Sequence, residues 1–282
     1  QEAFENGVAD KLKDRADTKL NKGAILYGGL MNYGMYGENA PIKNILSAEE
    51  LKGLDPNNLV AKIKELTSYE HYIYYYGRKN IEDVKTLLNE SHKTPETLKP
   101  LIAAIEFPEL TMEKNVVYFV DYDMVQSEVM MLSNAGAYNK DLAATTKVFN
   151  QYFGGGLSSI IFQEIRESKA LAYSAYAAYT TPRKPNKSHY VRAYIGTQVD
   201  KLADAKKAIM ELMNEMPEVE DQFQDSKMAA LKKIETSRTK RSSLFWKYLS
   251  AKEMGRDSDI NEEIYPQIKS LQLADLKTFF NS

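Results

Sequence analysis

Three consecutive glycines, Gly154, Gly155 and Gly156, stand in a stretch otherwise patterned for helix. Residues without a Cβ make a poor helix interior and a good sharp connection, so two elements must meet there. Beyond them Leu157, Ile160, Ile161 and Ile165 recur at helical spacing, which predicts a helix burying that stripe. Arg166 lies about 180° around such a helix from Leu157 and points away from it. The helix is expected to run out near Lys169, because Leu171 to Thr180 alternates as a strand with Leu171, Tyr173, Ala175, Ala177 and Tyr179 on one face. Helix, short turn and strand place Arg166 and Tyr173 within reach of one cleft.

Each of these residues also has a plainer reading. An arginine on an outer helix face is commonly just solvated, and Tyr173 is one of 19 tyrosines, any of which can pack its ring and wet its hydroxyl. A glycine turn before a helix can cradle an anion. A phosphate loop, however, needs Gly-Lys followed by Ser or Thr, and Leu157-Ser158-Ser159 stands in that place.

The ordered series F-G-G-G-L-S-S-x-x-F-Q-E-I-R-E-x-x-x-L-A-Y, Phe153 to Tyr173, closely resembles the second-domain motif of the insulinase/pitrilysin family of zinc metallopeptidases. The resemblance is strongest over roughly Asn115 to Met216 and only architectural over Phe4 to Leu88. It implies that Arg166 and Tyr173 reach across a closed chamber to a peptide held at a zinc site in another domain. Tyr173 would donate a hydrogen bond to the oxyanion, Arg166 would help hold the peptide carbonyl, and Gly154, Gly155 and Gly156 would form a loop beside the substrate.

The family's zinc site is an inverted H-x-x-E-H helix motif with a downstream Glu, and this chain does not contain it. His71, His92 and His189 are the only histidines, none has another at helical ligand spacing, and each is expected to be a surface or half-buried side chain. No metal ligand is therefore expected in this segment, which should not cleave peptides alone; zinc is expected in the parent protein or a partner subunit. Two functional readings follow. The chain is the non-zinc C-terminal part of an insulinase-like peptidase, or it is a non-catalytic structural or partner subunit related to processing peptidases.

A formal net charge of −2 leaves no electrostatic case for nucleic acid, zero cysteines exclude disulfides and thiolate chemistry, and no apolar run approaches a membrane span of ~20 residues. The chain starts without Met or a signal-peptide pattern, so its compartment stays open, with periplasmic or secreted placement compatible.

In chain order, Phe4 to Tyr36 reads as two helices broken about Lys22-Gly23 and loosened by Gly28-Gly29. Ser47 with Glu50 forms a capping box, and Asp55-Pro56 opens a helix to about Leu66. Glu70 to Tyr76 is dense in β-forming aromatics and predicts a strand, followed by an amphipathic helix over Asn80 to Glu90. Residues 93–114 read as a linker with one helical turn around Leu101 to Ile105, and 115–282 opens with strands at Asn115 to Val120 and Val125 to Ser133. A hairpin turns at Pro182 to Lys187, its return strand ends at Gly196, and helices follow over Leu202 to Met216, Val219 to Lys240, Ser243 to Met254 and Asp275 to Phe280. Met35-Tyr36-Gly37 is echoed by Glu253-Met254-Gly255, and Lys52-Gly53-Leu54 by Lys269-Ser270-Leu271, at a near-constant offset. Residues 1–92 thus read as the rear half of one repeat and 115–282 as most of the next. The fold class is α+β: repeated two-layer domains, each a mostly antiparallel or mixed sheet with helices on one face.

Overall fold

The computed structural model describes residues 2–282, in two compact units that divide after Pro108. In the first unit α1 (Glu2–Thr18) is followed by a π-helical segment, Ala24–Leu30, that runs straight into α2 (Met31–Tyr36). The wider winding coincides with Gly28 and Gly29, where the sequence predicts a loosened helix. Gly37, at φ +58°, ends α2 in a conformation that disfavours any residue with a Cβ. The capping box of α3 (Ala48–Lys52) forms as expected: Ser47 Oγ accepts from the Glu50 amide at 3.1 Å, and Glu50 Oε2 accepts from the Ser47 amide at 2.7 Å. Asp55 caps α4 (Pro56–Glu65) and Asn80 caps α5 (Ile81–Ser91), each through a side-chain oxygen 2.9 Å from a backbone N–H. Helix α5 buries Val84 but leaves Ile81 and Leu87 exposed.

Two expectations fail in this unit. Glu70 to Tyr76 is not a strand; its neighbour Tyr69 makes a single parallel bridge to Lys99, where the Glu70 amide donates to Lys99 O at 2.9 Å and the Lys99 amide to Ser68 O at 2.8 Å. Aromatic β-propensity records a fit to a pleated, half-buried surface. No ladder partner lies beside this segment among the described residues, so Tyr72 stays 83% exposed. The helical turn at Leu101 to Ile105 is also absent. One isolated turn has no propagation to offset the cost of nucleating it.

The second unit is built on a three-stranded antiparallel sheet in the order β1-β3-β2: β1 (Gln126–Ala137), β3 (Ser188–Gln198) and β2 (Ser174–Thr180). Asn115 to Val120 stays out of it, with Val117 and Phe119 exposed, for the same want of a ladder partner. β3 runs through Gly196 to Gln198 rather than ending there, because Gly196 pairs with Glu128 on one side and Ser174 on the other. Ala175 and Ala177 of β2 and Ala193 and Ile195 of β3 turn one face into the core. Opposite them pack α6 (Ala143–Phe149), the π-helical segments Asn150–Gly154 and Phe162–Ser168, α7 (Leu202–Asn214) and α8 (Glu220–Thr236). α9 (Leu244–Glu253) is followed by α10 (Ile260–Ser270), which the sequence reading leaves unassigned, and α11 (Leu273–Phe280), and the last two also reach the core. The fold is α+β. Arg256, buried after α9, pairs with Glu263 and donates to Lys140 O at 2.7 Å, tying α10 to the start of α6.

Helix and sheet meet most closely at Gly154. A Cβ there would sit 1.8 Å from the carbonyl oxygen of Ala177 in β2, an overlap only a backbone shift can relieve. One turn earlier, Asn150 Nδ2 donates to Tyr179 O at 2.9 Å and Asn150 Oδ1 accepts from the Tyr179 amide at 2.8 Å, so a side chain satisfies the strand's backbone as a neighbouring strand would. Gly154→Ala should lower stability by about 3 kcal/mol or more, measured as the shift of the urea unfolding midpoint. A shift under about 1 kcal/mol would mean that the two elements separate cheaply.

His189, on β3, is 1% exposed rather than at the surface. Its Nε2 accepts from the Asn139 amide at 3.0 Å, and Nδ1, 3.2 Å from Thr180 O, therefore carries the proton. Burial holds its pKa below the usual histidine value, against the opposing pull of those backbone bonds. A depressed folded-state pKa means that the unfolded chain takes up the proton first as pH falls, so this contribution is present above about pH 6.5 and lost below it. The expected loss is at most about 1.4 kcal/mol per pH unit. Melting temperatures at pH 7 and pH 5 should differ less in His189→Gln than in the parent chain; an equal difference would assign the pH dependence elsewhere.

Candidate functional site

The glycine turn is closed by hydrogen bonds that span five residues. The Gly155 amide donates to Asn150 O at 2.8 Å, and Gly156, at φ +107°, completes the reversal. The helix that follows begins at Ile160, later than the periodicity suggests, so Leu157 lies in the turn and is 72% exposed, not buried. Ile160, Ile161 and Ile165 form the expected buried stripe. The π winding continues to Ser168, and the Lys169 amide bonds back to Glu164 O at 3.3 Å. Ala170 then takes φ +48°, a left-handed step rare for a residue with a Cβ, and its carbonyl accepts from Lys201 Nζ at 3.1 Å.

Arg166, next to the buried Ile165, projects outward as expected. Its guanidinium lies 4.9 Å from the ring centroid of Phe162, and its nearest carboxylate, Glu167, is 3.7 Å away. That contact is too long for a good charge-assisted hydrogen bond, so the arginine keeps most of its donors unspent. Tyr173 is corrected in one respect. β2 begins one residue after it, and its ring is 55% exposed instead of sharing the core face of Ala175 and Ala177. Its backbone is nonetheless fixed, because the Tyr173 amide donates to Gly196 O at 2.9 Å. The side chain is fixed too: Gln198 Nε2 donates to the Tyr173 hydroxyl at 2.9 Å. That bond occupies a lone pair and leaves the phenolic proton free to donate outward. Gln198 was not singled out from sequence; only the β2–β3 register brings it there.

The three glycines divide between two roles. Gly154 is buried against Ala177 and serves packing. Gly155 and Gly156 line a cleft of about 440 Å³ with Lys147, Asn150, Gln151, Ala230 and Lys233. Burial and the like charge of Lys233 hold the Lys147 pKa below its usual value, and neither lysine is paired with a carboxylate among the described residues. The cleft suits an anionic group.

The ligand set of the family's catalytic zinc is not found in this chain. Among the described residues no three His, Asp or Glu side chains are placed to hold a metal ion, and the H-x-x-E-H sequence is missing. No helix among the described residues is long and apolar enough to cross a membrane.

A family model described as the peptidase M16 inactive domain matches residues 72–234. No curated protein matches the sequence. Among solved structures, the peptidase M16 inactive domain from Pseudomonas fluorescens superposes with a TM-score of 0.70 at 17% identity, over 100% of this chain and 67% of that one. The ferredoxin protease FusC, solved in complex with Arabidopsis ferredoxin, gives 0.68 at 10% identity. The periplasmic protease PqqL from Escherichia coli gives 0.66 at 12%. This chain is covered to 99% by each protease but spans only 30% of their length. With more than half of its residues matched by the family model and its whole length following the fold of such a domain, the chain belongs to the peptidase M16, or insulinase, family, as an inactive domain of that family.

Proposed function

We propose that this chain forms the non-zinc wall of the peptide-degrading chamber of an M16 metallopeptidase, where Arg166 and Tyr173 engage the substrate. The observation that carries this reading is the Tyr173 hydroxyl, held by Gln198 yet left with a proton to give, on a residue whose backbone amide is fixed by the Gly196 carbonyl. As the scissile carbonyl carbon becomes tetrahedral, its oxygen gains charge, and a donor already oriented toward that position stabilises it without reorganising. Arg166, braced on Phe162 and only loosely paired, is suited to hold a neighbouring peptide carbonyl. π-helical winding, frequent at functional sites, is what presents it. The cationic cleft beside Gly155 and Gly156 would take an acidic side chain of the peptide, making this turn adjacent to substrate. The ferredoxin bound to FusC supports a protein or peptide as the ligand. In this reading the zinc-bearing half lies in the same longer chain or in a partner subunit, and residues 1–92 and 115–282 are parts of two insulinase-like repeats joined by 93–114.

In the complete zinc-bearing protein, Tyr173→Phe should lower kcat by about 10²-fold with KM little changed. Steady-state kinetics on an unstructured peptide decide it, and an unchanged kcat would remove Tyr173 from the chemistry. Arg166→Ala should impair turnover while costing less than about 1 kcal/mol of stability, since it gives up one exposed ring contact and a long ion pair. A large drop in melting temperature would instead mark Arg166 as structural. Should the complete protein show no turnover at all, a non-catalytic structural or partner subunit becomes the better reading.

A further inference from the structure

Two of the three histidines meet in the first unit, although 21 residues separate them in sequence. His71 follows the Tyr69–Lys99 bridge and His92 caps the C-terminus of α5, which carries the chain back toward its starting point. Their Nε2 atoms are 2.8 Å apart, with ring centroids 5.0 Å apart and planes inclined at 77°. His71 Nδ1 lies 2.6 Å from the Tyr69 carbonyl oxygen. A carbonyl can only accept, so Nδ1 carries a proton, and in the neutral ring Nε2 of His71 is a bare lone pair that accepts from Nε2–H of His92. One proton is thus shared on the line between two imidazole nitrogens.

We infer that this pair is a metal site, in which a divalent transition-metal ion of the kind imidazole favours, Zn²⁺, Ni²⁺ or Cu²⁺, takes the place of that proton, which His92 then carries on Nδ1 so that both Nε2 atoms present lone pairs. Two imidazole nitrogens at bonding distance from a tetrahedral ion stand about 3.3 Å apart, so the rings need to part by roughly half an ångström. His71 is exposed and His92 only half-buried, which leaves room for that rotation. The outer contact is also in place: a ligating histidine ordinarily donates its other ring N–H to a carbonyl or carboxylate, which fixes tautomer and ring direction, and Tyr69 O accepts from His71 in this way. No third His, Asp or Glu among the described residues completes the set. Water fills the remaining positions, and the ion is exchangeable.

The test is isothermal titration of ZnCl₂, and separately NiCl₂, into the metal-free chain and its His71→Gln and His92→Gln variants. One ion per chain is expected, bound in the micromolar range, with each substitution weakening it about tenfold or more. Absence of binding at millimolar metal, or binding that persists unchanged in both variants, would overturn the assignment and leave an adventitious ion only. If either variant folds poorly, the ring proton signals of the unmodified chain decide during titration with Cu²⁺. Paramagnetic broadening of both His71 and His92 before His189 supports the site, and broadening of neither overturns it.

Discussion

The approach of Gly154 to the carbonyl of Ala177 is the contact on which the second unit turns. It lets a helical segment lie against β2 at backbone distance, and the Asn150 carboxamide then holds Tyr179 from the same segment. Tyr152, between them and fully buried, donates to Pro217 O at 2.6 Å and accepts from the Val219 amide at 3.0 Å, so the same turn of helix also fixes the entry to α8. Burial raises the Tyr152 pKa, with the Val219 contact opposing, and its proton is committed to that carbonyl. Strand, glycine turn and α8 are thereby registered by side chains within five consecutive residues, Asn150 to Gly154.

From that anchor the outward-facing residues follow. Ile160, Ile161 and Ile165 are fully or nearly buried, which sets the rotation of the next helix and leaves Arg166 on its outer side. The left-handed Ala170, bonded by Lys201, turns the chain sharply enough for Leu171 O to accept from Thr197 Oγ1 and for the Tyr173 amide to join Gly196 before β2 formally begins. The exposure of Tyr173 is therefore imposed by packing on both sides of it, not by a loose loop.

What the sequence made legible was short-range chemistry. Ser47 with Glu50, Asp55-Pro56, the glycine turn and the Pro182 to Lys187 hairpin all carry their reason within a few residues, and each is found. Glu70 to Tyr76 and Asn115 to Val120 failed because a strand is a property of two segments, and alternation in one says nothing of a partner. Leu157 failed because the helical stripe was extended one turn too far toward glycines that close a turn of their own. α10 escaped notice because Pro266 interrupts its pattern, although Asp259 caps it from a side-chain oxygen 2.8 Å from the Asn261 amide. The motif from Phe153 to Tyr173 pointed to the candidate site, whereas Gln198, and the meeting of His71 with His92, depend on strand register and on a helix returning the chain, neither of which spacing encodes.

The residues of the site divide by whether the fold has any use for them. Gly154 is demanded by a carbonyl oxygen that leaves no room for a Cβ, and Ile165 by a core it helps fill. Tyr173 is demanded by nothing of that kind: its ring is more than half exposed, so it gains little from burial, and its hydroxyl could be left to water at no cost. Instead Gln198 orients that hydroxyl through an exposed hydrogen bond, whose small gain is offset by the side-chain entropy lost in making it. Arg166 stands likewise, ordered over Phe162 with only a long contact to Glu167. What the fold gains from either is at most a surface contact, so packing does not account for them as it accounts for Gly154 and Ile165.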